Sequence, residues 1–386
     1  MLLGLIISST GTTMVWPFLT IYASETLSLP MAAVTSLMSI NSLSGLTASI
    51  LAGSMVDRFG RKSVMAVGLF GAAVAYFGYI QASSYWHFAV LMLASGLFSP
   101  LYRLGSDAIL ADMLSPADRV HGYSIFRMGR NIGVALGPMI GGIVLSSNYS
   151  FGFMGAALAL TLYGLITLLF LRETLVRDPN AKPESVRDQI RVYRQALNNK
   201  PFAHMVGAFT LMEICAALMW VLLAVYLKQN FGLPESTYSW IPTTNALMVV
   251  FLQVFITRAI KPYRDTQVMP IGAAFYMLAM LIVGVSNQFW GFWLAMVVLT
   301  VGELITAPTA TTFVANLAPP EQRGRYLGIF GLTWHVALAI GPFAAGVLTD
   351  AFGIRSPWFA GAVVGALAVY AFALLDRSRI RSELIS

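Results

Sequence analysis

The stretch that decides the fold is Gly53–Lys62, GSMVDRFGRK, which carries four charges in ten residues. Apolar segments long enough to cross a membrane flank it on both sides. The whole chain of 386 residues is only 11% charged and is 57% hydrophobic, whereas soluble proteins carry about 25% charged residues. A dense group of charges between two apolar segments therefore predicts a short aqueous loop that joins two membrane helices.

Apolar runs between polar breaks predict twelve membrane helices along the chain. The predicted helices cover residues 1–23, 31–56, 62–82, 85–113, 119–146, 150–171, 203–228, 235–259, 266–286, 289–316, 323–349 and 356–376. The first lacks a basic leader and a small-residue cleavage site, so it is expected to be a retained helix rather than a signal peptide. The predicted fold class is an all-α polytopic membrane protein with twelve transmembrane helices.

The positive charges predict the orientation in the membrane. Nineteen of the 24 lysines and arginines fall in the loops and tail that an even number of helices places on one face, and only Lys228 and Arg355 lie in the opposite loops. The positive-inside rule then puts both termini in the cytoplasm and the helices in the inner (plasma) membrane. The net charge of +7 is spread over separate short loops, so nucleic acid is not an expected partner.

Several functional classes are excluded by composition. A single cysteine, Cys215, rules out an internal disulfide, and the four scattered histidines have no metal-ligand spacing. No clustered catalytic groups or glycine-rich phosphate loop can be found. The chain is therefore not expected to be an enzyme, and neither a cofactor nor a metal site is predicted.

A shift of 204 residues aligns the two halves of the chain without a gap. The matching residues are Trp16 and Trp220, Tyr22 and Tyr226, Asn41 and Asn245, Gly137-Pro138 and Gly341-Pro342, and Gly142 and Gly346. The predicted domains are an N-terminal six-helix bundle at 1–172, a cytoplasmic linker at 173–202, and a C-terminal bundle with a short tail at 203–386. Parallel six-helix repeats are a known transporter plan, with the substrate site near the midplane.

Three motifs resemble the major facilitator superfamily over essentially the whole chain. Gly53–Lys62 resembles its signature between helices 2 and 3, and Gly133–Gly142 resembles the helix-5 motif associated with antiporters. Arg103 resembles the arginine of the helix-4 motif, although Ser106 and Asp107 stand where glutamine and glycine are usual. The sequence is most similar to the drug:proton antiporter branch, which Trp16–Tyr22 in helix 1 and Gly302-Glu303 with Pro308 in helix 10 also support.

The resemblance implies that the Gly53–Lys62 loop is a conformational switch. Asp57 is expected near the start of helix 11 when the cytoplasmic side is shut, and Arg61 is expected to reach Asp112. The residues predicted to act in this gating step are Gly53, Asp57, Arg58, Gly60, Arg61, Lys62 and Asp112. The repeat-related loop carries Lys261 and Asp265 in place of Asp57 and Arg61, which predicts an asymmetric latch.

Charged residues present in only one half are candidates for function, since shared residues are mostly scaffold. Glu213 and Glu303 align with Ser9 and Ser99, and both lie near mid-bilayer in predicted helices. An ionised carboxylate there costs ~2.5–3.5 kcal/mol, so such a group faces a protein interior and is suited to carrying a proton. The resemblance places helices 7 and 10 beside the central cavity. Glu303, Glu213 and Asp107 are the predicted proton-coupling residues, and a structural hydrogen bond is the alternative.

The helix-4/5 charge cluster leaves three interpretations open. Arg103 and Asp107 are four residues apart on one helix and can pair, while Arg127, Arg130 and Asn131 follow on the next helix. The arginines can neutralise Asp107 structurally, take part in proton coupling, or bind an anionic substrate directly.

Aromatic and polar residues on repeat-related helices are predicted to line the substrate cavity. They are Trp16, Tyr22, Trp220, Tyr226, Asn245 and His335. Because Trp16, Tyr22, Trp220 and Tyr226 occur at matching positions in both halves, scaffold packing is the favoured alternative for them. His335 aligns with Asn131, and its alternative is a hydrogen-bonded packing residue. Gly137, Pro138, Gly341 and Pro342 are predicted hinge residues, because proline removes a helix hydrogen bond and glycine permits close approach.

The sequence therefore predicts a proton-coupled antiporter that exports lipophilic or cationic small molecules, such as drugs, by alternating access. Its predicted partners are a small-molecule substrate, protons and the lipid bilayer, and it is expected to act as a monomer. The alternative is an exporter or flippase of a lipid or amphipathic anionic metabolite, with the arginine cluster as the anion site.

Overall fold

The structure, a computed structural model, describes residues 1–115, 118–175, 186–319 and 322–385. Twelve long helices are long and apolar enough to cross a membrane, and the described residues contain no strand. These helices are α1 Leu2–Leu27, α2 Met31–Phe59, α3 Arg61–Gln81, α4 Tyr85–Met113, α5 Arg119–Ser147, α6 Tyr149–Phe170, α7 Lys200–Phe231, α8 Glu235–Ile260, α9 Asp265–Val285, α10 Phe289–Leu317, α11 Arg323–Phe352 and α12 Ser356–Ile385. The predicted all-α, twelve-helix fold class is confirmed.

Local breaks interrupt four of these helices. α1 contains a 3-10 turn at Trp16–Phe18, where Pro17 lacks the N–H that a helix would use. α3 ends in a 3-10 turn at Tyr79–Gln81, α8 consists of Glu235–Tyr238 and Trp240–Ile260, and α11 is interrupted after Gly331. A further helix, Val186–Leu197, lies in the linker between α6 and α7, while residues 176–185 lie outside the described part.

The chain divides into two compact units. The first comprises Met1–Leu29, Leu37–Gln189 and Pro234–Thr243, and the second comprises Pro30–Ser36, Ile190–Leu233 and Thr244–Ser386. Each unit buries an apolar core and leaves apolar side chains on its outer helix faces, for example Phe170 at 78% exposure and Phe255 at 67%. Apolar outward faces are what a multi-pass membrane protein presents to lipid.

In the first unit, α1 packs closely against α5 because glycines occupy the contact. A methyl group added at Gly133 would lie 2.5 Å from Ser9 Cβ, and one at Gly137 would lie 2.1 Å from Thr13 Oγ1. The Thr13 hydroxyl donates to the Gly133 carbonyl at 3.0 Å. Glycines four residues apart on one helix face are the standard means of bringing two membrane helices together.

Two short segments at helix starts belong to the unit opposite to the rest of their helix. Pro234–Thr243, at the start of α8, belongs to the first unit, and Pro30–Ser36, which contains the start of α2, belongs to the second. The two segments are related by the 204-residue shift. Ser239 lies against Gly142 in the first unit, and Thr35 lies against Gly346 in the second. The internal repeat thus extends to the contacts of these two helix-start segments, and the domain boundaries at 172 and 203 stay a prediction.

Candidate functional site

The first candidate site is a buried polar cluster in the second unit. Asn245 on α8 donates through Nδ2 to Glu303 Oε2 on α10 at 2.8 Å and to Thr300 Oγ1 at 3.0 Å. Asn245 is 4% exposed, and Thr300 is fully buried. Since one amide group holds both partners, the position of the Glu303 carboxyl is determined by a neighbouring helix rather than by its own.

A second carboxylate belongs to the same cluster. Glu213 on α7 lies close enough to Glu303 to interact with it through charge. Tyr276 on α9 is 3% exposed and lies close to both carboxylates. Four helices, α7 to α10, therefore contribute polar groups to one buried place. Because two neighbouring ionised carboxylates repel each other, the arrangement is suited to holding a proton or a cation.

The helix-4/5 charges form a different arrangement from the predicted one. The ion pair of Asp107 is made by Arg130 on α5, with 3.6 Å between Arg130 Nη2 and Asp107 Oδ1. Within the described residues Arg103 forms no ion pair. The predicted pairing of Arg103 with Asp107 along α4 is therefore corrected: α5 supplies the partner, because Arg130 points across to α4.

A cavity of about 180 Å³ lies beside these charges within the first unit. Its lining comes from α1, α4, α5 and α6 and comprises Leu5, Ser9, Thr12, Thr13, Tyr102, Arg103, Ser106, Arg130, Val134 and Tyr163. Arg127 is exposed and Asn131 is partly buried, and neither lines this cavity. Two of the three grouped arginines thus face one cavity, and the third does not.

The Gly53–Lys62 loop turns at Gly60, whose φ of +100° is a conformation that side chains other than glycine rarely adopt. The loop is held by Glu173, which follows α6. The Glu173 carboxylate accepts hydrogen bonds from the N–H groups of Arg61 at 2.9 Å and Lys62 at 3.2 Å. These are among the unpaired N–H groups at the start of α3, so Glu173 caps that helix from a distant part of the sequence.

The same carboxylate also accepts from the N–H groups of Thr174 and Leu175, each at 3.1 Å. Loss of some hydration acts to raise the pKa of Glu173, which is exposed overall, but the four backbone donors together hold its pKa below the usual range. Glu173 therefore stays ionised at neutral pH and binds α3 as an anion.

Ionic contacts tie this loop to α4 and α6. Arg61 forms an ion pair with Asp112, as predicted, and the Thr174 hydroxyl donates to Asp112 Oδ2 at 2.6 Å. Lys62 Nζ donates to the Leu168 carbonyl at 2.8 Å. Asp57 is exposed and makes no ion pair or hydrogen bond among the described residues, and its predicted gating role stays a prediction.

Of the remaining predicted loop residues, Gly53 is exposed with open space around it, and the Arg58 guanidinium lies 5.4 Å from the centre of the Phe59 ring.

Sequence reasoning missed Glu173, although one signal was available. Gly60 at the start of α3 offers no side chain to cap the helix, so an acceptor from elsewhere had to satisfy its N–H groups. Nothing in the sequence shows that the linker supplies this acceptor, because the contact spans 112 residues.

The aromatic residues predicted to line the substrate cavity lie in equivalent packing clusters of the two units. Tyr22 packs against Phe88 at 5.6 Å, and Tyr226 packs against Phe292 at 5.9 Å, both between ring centres. All four residues obey the 204-residue shift. This equivalence supports the scaffold interpretation for Tyr22 and Tyr226.

The other predicted cavity and hinge residues occupy helix interiors or turns. Trp16 lies in the 3-10 turn of α1, while Trp220 and His335 are partly buried on α7 and α11. Pro138 and Pro342 lie inside continuous helical segments, each directly after its glycine, Gly137 or Gly341. Hinge motion at these positions stays a prediction.

Comparisons with known proteins agree with this architecture. A family model described as Major Facilitator Superfamily matches residues 1–228 and 205–385. A protein of Planococcus maritimus named Na(+), Li(+), K(+)/H(+) antiporter is 26% identical, covering 89% of this chain and 87% of that protein. Multidrug resistance protein MdtH of Photorhabdus laumondii subsp. laumondii is 23% identical, over 87% of this chain and 84% of that protein.

A solved structure shows the same fold. It is the crystal structure of a POT family transporter in complex with a thioalcohol conjugated peptide, with a TM-score of 0.81 and 16% identity. The match covers 98% of this chain and 95% of that one.

Proposed function

This chain belongs to the Major Facilitator Superfamily, and we propose that it is a proton-coupled antiporter that exports lipophilic or cationic small molecules by alternating access. Its family and relatives are transporters rather than enzymes, and its substrate is a small molecule. The observation that carries the proposal is the neighbouring, partly buried pair Glu213 and Glu303, with Asn245 bound to Glu303.

The coupling step uses the cost of charge at this depth. An ionised carboxylate near mid-bilayer is disfavoured by ~2.5–3.5 kcal/mol, so Glu303 is neutralised either by a proton or by the cationic group of a substrate. A proton that arrives from outside displaces the substrate, and a substrate that arrives from the cytoplasm displaces the proton. The Asn245 amide holds the carboxyl in place during both exchanges, and Glu213 makes double ionisation unfavourable.

The charged loop after α2 takes the gating role in this proposal. Arg61 with Asp112, and Glu173 on the start of α3, make the loop one rigid piece with α4 and the end of α6. Asp57 is then the exposed group that makes and breaks contacts as the cytoplasmic side opens. The distribution of lysine and arginine supports a location in the plasma (inner) membrane with both termini in the cytoplasm. The protein acts as a monomer in the bilayer.

A direct test uses the purified full-length chain in liposomes that contain a pH-sensitive dye. Adding a lipophilic cation such as ethidium is expected to drive proton movement in the wild type, and Glu303→Gln is expected to abolish it. Separate additions of Na⁺, Li⁺ and K⁺ test the activity for which the Planococcus maritimus relative is named. Proton movement with these ions alone would replace the drug-export proposal with a cation antiport.

The control is Asp118→Asn, which also replaces one carboxylate by an amide. Asp118 is exposed and lies outside the cluster, and its carboxylate accepts a hydrogen bond from the Ser115 hydroxyl at 2.7 Å. The Asp118→Asn variant is expected to transport like the wild type. Normal transport by Glu303→Gln would exclude Glu303 as the coupling residue.

The alternative, export of a lipid or an amphipathic anionic metabolite, has a specific observation in its favour. Arg103 and Arg130 face the cavity of the first unit, where a purely cationic substrate would be repelled. The two proposals are compatible for a substrate that carries both an acidic and a basic group.

A further inference from the structure

The cavity of the first unit has a charge that its scaffold does not require. It is faced by the guanidinium groups of Arg103 and Arg130, and the nearby carboxylate is that of Asp107. Two positive charges against one negative charge leave the site with a net charge of +1. The repeat-related positions in the second half hold Ala307, Trp334 and Thr311, so the same helical framework exists without these charges.

The single carboxylate does not use up the hydrogen-bonding capacity of the arginines. The contact between Arg130 and Asp107 is 3.6 Å, longer than the ~2.7–2.9 Å of a charge-assisted hydrogen bond. Arg103 makes no ion pair among the described residues. Each guanidinium is a planar set of five N–H donors that matches two oxygens of a carboxylate or phosphate, so the cavity presents donors without a full set of acceptors.

The rest of the lining is partly apolar and partly hydroxylic. Leu5 and Val134 supply apolar surface, and Ser106 and Tyr163 share a hydrogen bond at 3.2 Å between their hydroxyl oxygens. The Thr13 hydroxyl is occupied by backbone carbonyls of α1 and α5. A volume of about 180 Å³ accepts an acidic group together with part of an attached apolar body.

We propose that this cavity is an oxyanion subsite in which Arg103 and Arg130 bind a carboxylate, phosphate or sulfonate group of an amphipathic substrate. The inference rests on the proposed transport function and specifies one part of its substrate. Arginines at membrane depth are costly and are retained where they bind something. The subsite lies wholly within the first unit.

The test measures binding to the purified full-length chain, which requires no proton movement. The probe is naphthalene-2-carboxylate, compared with the uncharged naphthalene-2-carboxamide at constant ionic strength by isothermal titration calorimetry. The carboxylate is expected to bind at least tenfold more tightly than the amide. Equal affinity for the two probes, or no saturable binding of the carboxylate, would overturn the proposal.

Variants locate the binding. Arg103→Gln and Arg130→Gln are expected to weaken carboxylate binding at least tenfold, and Arg103→Lys, which keeps the charge but loses the planar donor pair, is expected to weaken it less. The matched control is Arg127→Gln. This substitution also removes one positive charge from the same region, but Arg127 does not line the cavity. An equal loss in Arg127→Gln would show an effect of general charge and contradict the assignment.

Thermal unfolding and size-exclusion elution of each variant separate lost binding from lost folding. If Arg103→Gln fails to fold, Arg103→Lys and Arg130→Gln still decide the question, and unchanged binding in both overturns the proposal.

Two sources of the oxyanion are distinguished in lipid nanodiscs. If an anionic lipid headgroup fills the site, phosphatidylglycerol is expected to compete with the carboxylate, whereas phosphatidylcholine alone is not. If a soluble metabolite fills it, phosphatidylglycerol has no effect and free inorganic phosphate competes. Failure of proton coupling in liposomes would leave a positive binding result intact, so the two proposals fail independently.

Discussion

Asn41 in the first unit and Asn245 in the second occupy equivalent positions and make equivalent helix contacts, but to different partners. Asn41 Nδ2 donates to the Met92 carbonyl and to Ser95 Oγ on α4, each at 2.9 Å. Asn245 Nδ2 donates to Thr300 and to Glu303 on α10. The repeat therefore supplies an asparagine between the second and fourth helix of each half, and in the second half this asparagine reaches an acidic residue whose counterpart in the first half is Ser99.

The two halves also differ in the charged residues at their matching positions. The second half carries Glu213 and Glu303 where the first has Ser9 and Ser99, and the first half carries Arg103 where the second has Ala307. Ser9 and Arg103 line the cavity of the first unit. One repeated architecture thus carries additional acids in its second half and additional arginines in its first.

The largest expected difference between the halves concerns the asparagines. Asn245→Ala removes the donor that holds Glu303, and since a hydrogen bond to a charged group contributes ~1.5–3 kcal/mol, substrate-driven proton flux should fall about tenfold or more. Asn41→Ala should lower the melting temperature without changing the pH dependence of transport. The measurement is substrate-driven proton flux and thermal unfolding of both variants, made in parallel. Equal pH profiles for the two variants would remove the functional distinction.

Glycine packing provides the second comparison. A methyl group at Gly137 would lie 2.8 Å from the Met14 backbone nitrogen, whereas one at Gly341 would lie 3.2 Å from the nearest atom, on Ile214. Overpacking costs ~1–3 kcal/mol, so Gly137→Ala should reduce the thermal stability clearly. Gly341→Ala should have little effect, because the gain in helix propensity of ~1 kcal/mol offsets the contact. A larger loss at Gly341 would contradict this asymmetry.

The two helix-start segments, Pro30–Ser36 and Pro234–Thr243, differ in how their helices are capped. Asp350 accepts from the N–H groups of Met31 at 2.9 Å and Ala32 at 2.8 Å, and the equivalent position in the first half is Ser146. The Ser146 hydroxyl donates within its own helix. Asp350→Ala should therefore cost ~0.5–2 kcal/mol of stability, measured by thermal unfolding, and Ser146→Ala should cost almost nothing. Similar losses would show that the cap contributes little.

The smallest expected effect concerns pH. The lowered pKa of Glu173 means that its contribution to stability is complete above the usual carboxyl pKa of about 4.3 and is lost as the pH falls through the lowered value. Glu173→Gln should melt below the wild type at pH 7, and the gap should close at acid pH. A gap independent of pH would mean that Glu173 acts by packing alone.

Both halves place an acidic side chain from the end of their sixth helix on the start of the third. Glu173 does so in the first unit, and in the second the Thr266 hydroxyl donates to Asp376. The 204-residue shift aligns Asp376 with position 172 rather than 173. A one-residue offset hides this common feature from the sequence repeat, and the two contacts differ in kind: Glu173 accepts from backbone N–H groups, whereas Asp376 accepts from a side-chain hydroxyl.

Much of the fold follows from the sequence because the bilayer imposes a simple length and polarity rule on every helix. Twelve apolar segments, charged loops and a repeat are all readable without knowing any contact. Side-chain partners are not readable in this way. Spacing along α4 suggested that Arg103 pairs with Asp107, yet Arg130 on a neighbouring helix forms the ion pair, because helix packing sets which faces meet.

The sequence by itself determined the twelve helices, the duplication and which charged residues lack a counterpart in the other half. It could do so because each apolar segment meets the length and polarity requirement of the bilayer on its own. Only the tertiary structure decided that Asn245 binds Glu303, that Arg103 and Arg130 face one cavity while Arg127 does not, and that Glu173 caps α3. These contacts join residues tens of positions apart, and their geometry depends on how helices approach one another, which local sequence preferences do not encode.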